Sequence, residues 1–117
     1  MTPFGARLRA LRQSRSLTQK NMAAALNVSA AYLSALEHGH RAAPSFDFVQ
    51  RVTGYFNVIW DEAEELQRLA SLSDPKVSVD TAGLAPQATE LANLLAQRIG
   101  ALPEGRVEEM LKILKRG

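Results

Sequence analysis

Apolar residues recur at helical spacing along almost the whole chain, and this periodicity limits the fold more than any other feature. Phe4, Leu8 and Leu11, for example, lie three or four residues apart and so share one face of a helix. Hydroxyl residues that can cap a helix start, such as Thr18 and Ser29, precede several of these runs. No stretch alternates strongly enough to build a sheet. The sequence therefore predicts an all-α fold.

Five helices are predicted in the first part of the chain. A polar stretch from 71 to 85 follows, where Asp74-Pro75 and Gly83 are turn signals, and we interpret it as a linker with room for a short extended piece. The residues predicted to face inward in the five helices are Phe4, Leu8, Leu11, Met22, Ala23, Leu26, Leu33, Leu36, Phe46, Val49, Val52, Phe56, Leu66 and Leu69.

Two more helices are predicted after the linker, joined by a turn at residues 100–103. Because their apolar stripes can cover each other, they predict a helical hairpin. We therefore expect a domain of residues 1–72, followed by a linker and hairpin of residues 73–117. The stripes are Leu84, Ala88, Leu91, Leu95 and Ile99 on one helix and Val107, Met110, Leu111 and Leu114 on the other.

The composition excludes most kinds of catalytic or metal site. The 117-residue chain has no cysteine, which rules out disulfides, thiolate metal ligands and cysteine nucleophiles. His38 and His40 are too few ligands for a zinc site. Ser14, Ser16 and Ser29 have no adjacent histidine base, and no glycine-rich phosphate loop occurs, so we expect neither an enzyme nor a cofactor.

Net positive charge is confined to the first half of the chain. Residues 1–60 hold seven basic and two acidic residues, a net charge of +5, whereas residues 61–117 hold seven basic and ten acidic ones, a net charge of −3. Binding to a polyanion requires such local positive charge. No apolar run approaches the roughly 18 residues of a membrane span, and the start of the chain is unlike a signal peptide. We expect a cytoplasmic protein without membrane contact.

Two of the predicted helices, at about Thr18 to Leu26 and Ser29 to His38, are joined by too few residues to lie antiparallel. They must cross at a steep angle, which is the geometry of a helix-turn-helix and also of an ordinary corner in a helical bundle. The second of them is a rod of about 15 Å, which suits the major groove of DNA. Spacing alone leaves both interpretations open.

Short motifs in this region carry a resemblance to a known family. They are Leu17-Thr18-Gln19, the run from Met22 to Ser29 (MAAALNVS), the run from Tyr32 to Gly39 (YLSALEHG), and Pro44-Ser45. Together they resemble the XRE-type helix-turn-helix of the Cro and phage-repressor DNA-binding domains, over residues 4–58. The resemblance implies a repressor-like domain of five helices whose third helix is the recognition helix, bound as a dimer to a two-fold symmetric operator.

The resemblance also implies roles for residues near the ends of the recognition helix. Gln19 matches a residue that touches a phosphate and braces this helix, and Ser29 matches one that caps the helix and donates to phosphate. Arg12 and Glu37 match a pair that ties the first helix to the third, with the arginine also near the DNA backbone. The alternative for this pair is a surface ion pair that contributes little stability.

The resemblance assigns the remaining contacts to a loop and to the outer face of the recognition helix. His40 and Arg41 match the loop that grips the DNA backbone, and Lys20 is a weaker phosphate candidate. Alanines stand where longer hydrogen-bonding side chains are frequent in the family, so readout would rest on few groups and partly on DNA shape. The base-facing positions are Ala30, Ala31, Tyr32, Ser34 and Ala35, of which Tyr32 has packing as its alternative role.

A second surface is predicted to join two copies of the protein. Phe48 and Tyr55 lie seven residues apart on a face of the fourth helix that the inward residues do not use, and Leu94 and Ile113 lie outside the hairpin stripes. We expect a dimeric, sequence-selective DNA-binding transcriptional regulator that acts as a repressor. The predicted dimerisation residues are Phe48, Tyr55, Leu91, Leu94, Leu95, Met110, Ile113 and Leu114.

Another interpretation of the hairpin stays open. Some members of the family are antitoxins or adaptors, in which case the hairpin would dock a different protein. A filled self-dimer would favour the regulator, whereas an isolated hairpin with an exposed apolar stripe would favour the adaptor.

Overall fold

The structure is a computed structural model that describes all 117 residues. It contains α-helices, one 3-10 turn and no strand, which confirms the all-α prediction. A five-helix domain comes first and two further helices follow the linker, as predicted. The helices are α1 (Pro3–Ser14), α2 (Gln19–Leu26), α3 (Ala30–Glu37), α4 (Phe46–Tyr55), α5 (Trp60–Ser71), α6 (Pro86–Arg98) and α7 (Glu104–Arg116), with the 3-10 turn at Ile99–Ala101.

Four helices begin at hydroxyl residues, among them Thr18 and Ser29, which the sequence predicts as caps. The side chains of Thr2, Thr18, Ser29 and Ser45 each accept a hydrogen bond from the backbone N–H three residues further on. Each bond satisfies one of the amide groups that a helix start leaves without a partner. The first four helices are therefore positioned by interactions that span only three residues of sequence.

Residues Met1–Val77 form a compact unit around an apolar core. In it α1 packs against α3 and α5, while α4 packs against α2 and α5. Burial of each large apolar side chain contributes roughly 1.5–3 kcal/mol to such a core. The buried apolar residues are Phe4, Leu8, Met22, Ala23, Leu26, Leu33, Leu36, Phe48, Val49, Val52, Phe56, Leu66 and Ala70.

The prediction for α4 is wrong at two phenylalanines. Phe48, expected on an outer dimer face, is 2% exposed within the core, whereas Phe46, expected inside, is 67% exposed. The buried side of α4 is centred between Val52 and Phe56, and Phe46 lies roughly 90° around the helix from that centre. Phe48 is therefore not available as a surface contact, and Tyr55 is the residue of the predicted pair that remains at the surface.

The segment after α5 returns to the start of α1. The hydroxyl of Ser73 accepts a hydrogen bond from the backbone N–H of Phe4 at 2.8 Å and donates to the carbonyl oxygen of Leu69. Ser73 is 2% exposed, so both bonds lie inside the domain. The two ends of the five-helix arrangement are thus held together by a buried side chain.

Residues Ser78–Gly117 form a second compact unit, and its two helices are called the hairpin from here on. No residue of α6 or α7 is buried, but Leu95, Val107 and Met110 are half-buried, and the two helices line one apolar cavity. The two predicted stripes are therefore partly covered, and Leu91, Ile99 and Leu114 remain exposed. After the 3-10 turn, Leu102 and Pro103 are extended and connect the two helices.

The linker forms no strand, so its alternating Val77-Ser78-Val79 does not pair with another segment. None of the helices combines the length and the apolar character needed to cross a lipid bilayer.

Candidate nucleic-acid interface

Only three residues connect α2 to α3. Asn27 ends α2 in the left-handed conformation with a φ of 58°, which asparagine adopts more readily than most residues. Val28 then packs against the core, and its N–H donates to the carbonyl oxygen of Ala23 at 3.0 Å. Ser29 begins the next helix by capping the N–H of Tyr32 at 3.0 Å. So short a connection makes α2 and α3 cross steeply, as a helix-turn-helix requires.

The two sides of α3 differ sharply in chemistry. Leu33, Leu36 and Glu37 are buried and attach the helix to the core. The outward side consists of small residues, with Ser29, Ala30 and Ala31 exposed and Ser34 and Ala35 half-buried. A helix with short outward side chains can approach another surface closely along its length.

Tyr32 has a packing role as well as a position beside the outward face of α3. Its ring meets the ring of Phe48 edge-on, with 5.6 Å between centroids, and the guanidinium of Arg41 lies 5.3 Å from its own centroid. The first contact fixes the ring against the core, and the second is a cation–π interaction that positions the arginine. Tyr32 therefore connects α3 to the loop that follows it.

A buried ion pair holds α1 against the end of α3. The guanidinium of Arg12 donates to both carboxylate oxygens of Glu37, at 2.8 and 3.0 Å, and to the carbonyl oxygen of Leu17 at 2.9 Å. Gln19 donates to the same carboxylate at 3.2 Å. The hydrogen bonds that Arg12 donates to Glu37 raise the pKa of Arg12, despite the opposing effect of burial.

The Arg12 and Glu37 side chains are 14% and 1% exposed, so the pair is not a surface ion pair. Gln19 thus contacts the end of α3, and the Arg12–Glu37 pair joins α1 to α3. Three hydrogen bonds within the protein already engage the guanidinium of Arg12. Its expected contact with a DNA phosphate stays a prediction.

The loop after α3 begins with a glycine that no other residue could replace without strain. Gly39 has a φ of 76°, and a Cβ there would lie 3.2 Å from the backbone of Met1. His40 and Arg41 follow and are exposed. The ring of His40 stacks on that of His38 at 6.4 Å, and no group of three metal-ligating side chains occurs near them.

A shallow cavity of about 350 Å³ opens beside the start of α3. Ser29 and Ser45, the caps of α3 and α4, line it together with Tyr32, Arg41 and Arg51. Helix N-termini and guanidinium groups both attract anions. The chemistry of this cavity suits a phosphate group of a nucleic-acid backbone.

Arg51 is the site residue that sequence reasoning missed. Its guanidinium donates to the carbonyl oxygen of Leu26 at 2.7 Å and lies 5.5 Å from the ring centroid of Phe48. Its one signal in the sequence is the positive charge that it adds to the first 60 residues, because these contacts join residues far apart in the chain. Lys20, by contrast, is exposed at the start of α2, where the sequence places it.

A family described as a helix-turn-helix domain matches residues 3–66. Among solved structures, the chain is similar to a complex of the SinR and SinI proteins at 19% sequence identity, with a TM-score of 0.46 and coverage of 96% of this chain and 94% of that chain. No curated protein sequence matches it.

Proposed function

We propose that this chain, which belongs to the helix-turn-helix domain family of the XRE and Cro class, is a cytoplasmic, sequence-selective transcriptional repressor that binds double-stranded DNA as a homodimer. Family membership makes the chain a DNA-binding regulator and confirms the resemblance in residues 4–58. Selectivity, repression and dimeric binding extend that assignment, and they are supported by the features below.

The outward face of α3 is the observation that carries the proposal. Ala30 and Ala31 are exposed, and neither they nor Ser34 bear a charge. The opposite side of the helix is anchored by buried residues and by the Arg12–Glu37 pair. A rigid helix with a small, neutral outer surface can lie deep in the major groove, near the base edges.

Basic side chains border this face. Lys20 and Arg41 are exposed and form no ion pair, and the cavity lined by Arg41 and Arg51 lies at the start of α3. Cations placed beside a groove-binding helix would neutralise the phosphates on each side of the groove. We assign Lys20, Ser29, His40 and Arg41 to these backbone contacts.

Readout by this helix would depend on few hydrogen bonds. Alanine methyl groups can contact the methyl group of thymine but cannot read donors and acceptors. Ser34 and Gln19 supply the polar groups nearest to the outward face, and Tyr32 is partly committed to packing. Selectivity would therefore include DNA shape and deformability as a substantial part.

Dimeric binding would match this domain to a symmetric operator. Two copies on a two-fold site place their recognition helices about 34 Å apart, which is one turn of DNA. A dimer seated there excludes other proteins from the same stretch of DNA, and we propose this occlusion as the basis of repression.

Selection of bound sites from random duplexes tests the proposal. We expect the wild-type protein to enrich a two-fold symmetric consensus. The Ala31→Gln variant should enrich an altered consensus, because glutamine can pair with adenine through two hydrogen bonds. Ala6→Gln, an identical change at an exposed position of α1, serves as the matched control and should keep the wild-type consensus. Failure of the wild-type protein to enrich any sequence would refute selective binding.

A further inference from the structure

Two arginines line the shallow cavity beside the start of α3, and a pair of aromatic rings holds both of them. The guanidinium of Arg41 lies 5.3 Å from the ring centroid of Tyr32, and that of Arg51 lies 5.5 Å from the ring centroid of Phe48. The two rings meet edge-on, with 5.6 Å between centroids. Because Phe48 is buried in the core, the rings form a fixed support for the two cations.

Arg51 is also fixed by a hydrogen bond to another helix. Its guanidinium donates to the carbonyl oxygen of Leu26, the last residue of α2, at 2.7 Å. The carboxylate of Asp47, one turn earlier on α4, lies 3.6 Å from the same guanidinium but is 85% exposed, so this ion pair is weak. A guanidinium has five N–H groups, and these two contacts leave most of them free to bind a ligand.

The two serines that line the shallow cavity also have free donors. The hydroxyls of Ser29 and Ser45 accept hydrogen bonds from the N–H groups of Tyr32 and Phe48, and neither hydroxyl donates to another group. No carboxylate lines the cavity. The cavity therefore combines two cations with two hydroxyl donors, which suits an anion that has several acceptor oxygens.

We propose that the shallow cavity is a preformed site for one phosphate group, in which Arg51 is the second cation beside Arg41. The non-bridging oxygens of a phosphate accept several hydrogen bonds, so one phosphate can engage both guanidinium groups and a serine hydroxyl together. Tyr32 and Phe48 are positioning residues of this site, because they hold the two guanidinium groups before a ligand arrives.

A phosphate of the DNA backbone and a phosphate ester free in solution share the chemistry that this site recognises. The site forms without DNA, and only its use as a backbone contact rests on the proposed function. Binding of phosphate to the protein alone can therefore be measured separately from binding of the protein to DNA.

Titration of the full chain with inorganic phosphate tests the site, with chloride replaced at constant ionic strength. The amide NMR signals of Tyr32 and Phe48 report on it, because these N–H groups bind the serine hydroxyls of the cavity. We expect saturable shifts in the wild-type protein and a phosphate dissociation constant about 10-fold higher in Arg51→Ala, which loses charge-assisted hydrogen bonds. Shifts that do not saturate would overturn the proposal.

Arg15→Ala is the matched control for this titration. Arg15 also lies over a ring and donates to a carbonyl oxygen near a helix end, both of Phe56, but it does not line the cavity. Its phosphate dissociation constant should stay within about 2-fold of wild type, because salt screens a distant charge. An equal loss in Arg15→Ala and Arg51→Ala would show a general effect of charge and overturn the role of Arg51.

Asp47→Asn tests the site with Arg51 and its bond to Leu26 left in place. The change removes the carboxylate that competes with phosphate for Arg51, so the phosphate dissociation constant should fall about 2-fold. A purely structural role of Arg51 would leave this constant unchanged, and that result would also overturn the proposal.

Competition with DNA distinguishes the two sources of phosphate. Binding to a mixed-sequence duplex of about 20 base pairs is measured at constant ionic strength, in chloride and in phosphate. Weaker binding in phosphate, with no such difference in Arg51→Ala, assigns the site to a backbone phosphate. Saturation by phosphate with unchanged DNA affinity assigns it to a free phosphate ester. Duplex binding without any saturable phosphate shift would overturn the site and leave the proposed function intact.

Discussion

At the scale of single residues, the buried carboxylate of Glu37 is stabilised by the side chains that surround it. It is 1% exposed, and its oxygens accept hydrogen bonds from Arg12 and Gln19. We expect Arg12→Ala to lower the free energy of unfolding by about 3 kcal/mol, because it leaves a buried charge without its cation. Urea denaturation measures this loss. Arg7→Ala, an exposed position of α1, is the control and should change the free energy by less than about 0.5 kcal/mol.

A loss below about 1 kcal/mol for Arg12→Ala would instead indicate that water reaches Glu37 readily. In that case the pair would guide the docking of α1 on α3 without contributing much to stability.

Arg41 provides a test of the DNA-binding surface at the same scale. The residue is exposed, lies over the ring of Tyr32 and lines the cavity at the start of α3. If it neutralises one phosphate per subunit, Arg41→Ala should reduce the slope of log K against log salt concentration by about 0.9 per subunit, or roughly 2 per dimer. Fluorescence anisotropy at several salt concentrations measures the slope. Arg98→Ala removes the same charge from α6, and an equal reduction there would show a general charge effect instead of a local contact.

At the scale of helices, α1 and α3 meet at a glycine. A Cβ on Gly5 would overlap the carbonyl oxygen of Leu36, which is backbone and cannot move aside cheaply. We expect Gly5→Ala to lower the free energy of unfolding by about 2 kcal/mol. Gly54→Ala is the matched control in α4, where a Cβ would meet nothing within 4 Å, and it should stabilise the protein by about 0.5–1 kcal/mol. Thermal and urea unfolding measure both changes. A change of the free energy of unfolding in the same direction for both variants would contradict this account.

The helix starts could be predicted from the sequence because each is decided within a few residues. Thr2, Thr18, Ser29 and Ser45 act on an N–H group three positions away, so the local sequence contains the whole interaction. The start of α3 at Ser29 and its end before Gly39 were predictable for the same reason.

The orientation of side chains between helices could not be predicted in the same way. Phe46 and Phe48 both fit an apolar stripe, and only the position of the neighbouring helices decides which of them is buried. The buried Arg12–Glu37 pair joins residues 25 positions apart, and the contact of Arg51 with Leu26 spans the same distance along the sequence. In the hairpin, the periodicity of the stripes indicated two helices correctly but contained no information on how far apart they lie.

At the scale of the whole molecule, the chain divides into a unit with a core and a unit without one. A protein that ends after Val77 should keep the free energy of unfolding of the first unit and should sediment as a monomer. Its affinity for the full operator should fall by about 100-fold, because the second half-site would no longer be held nearby. Analytical ultracentrifugation and anisotropy measure these effects. A truncated protein that still dimerises would place the interface in the first unit, where Tyr55 and Trp60 are exposed.

The hydrogen bond between Phe4 and Ser73 has a topological consequence. It joins residues 69 positions apart, so the two ends of the first unit lie side by side and close a ring through a hydrogen bond instead of a covalent bond. Joining the two ends through a short peptide would complete the ring covalently, and the chain could then be opened in the loop from Asn57 to Ile59, between α4 and α5. Because both ends already meet, such a circular permutant would retain the same core and the same recognition helix. The order in which the five helices follow one another along the chain is therefore separable from the DNA-binding surface that they build.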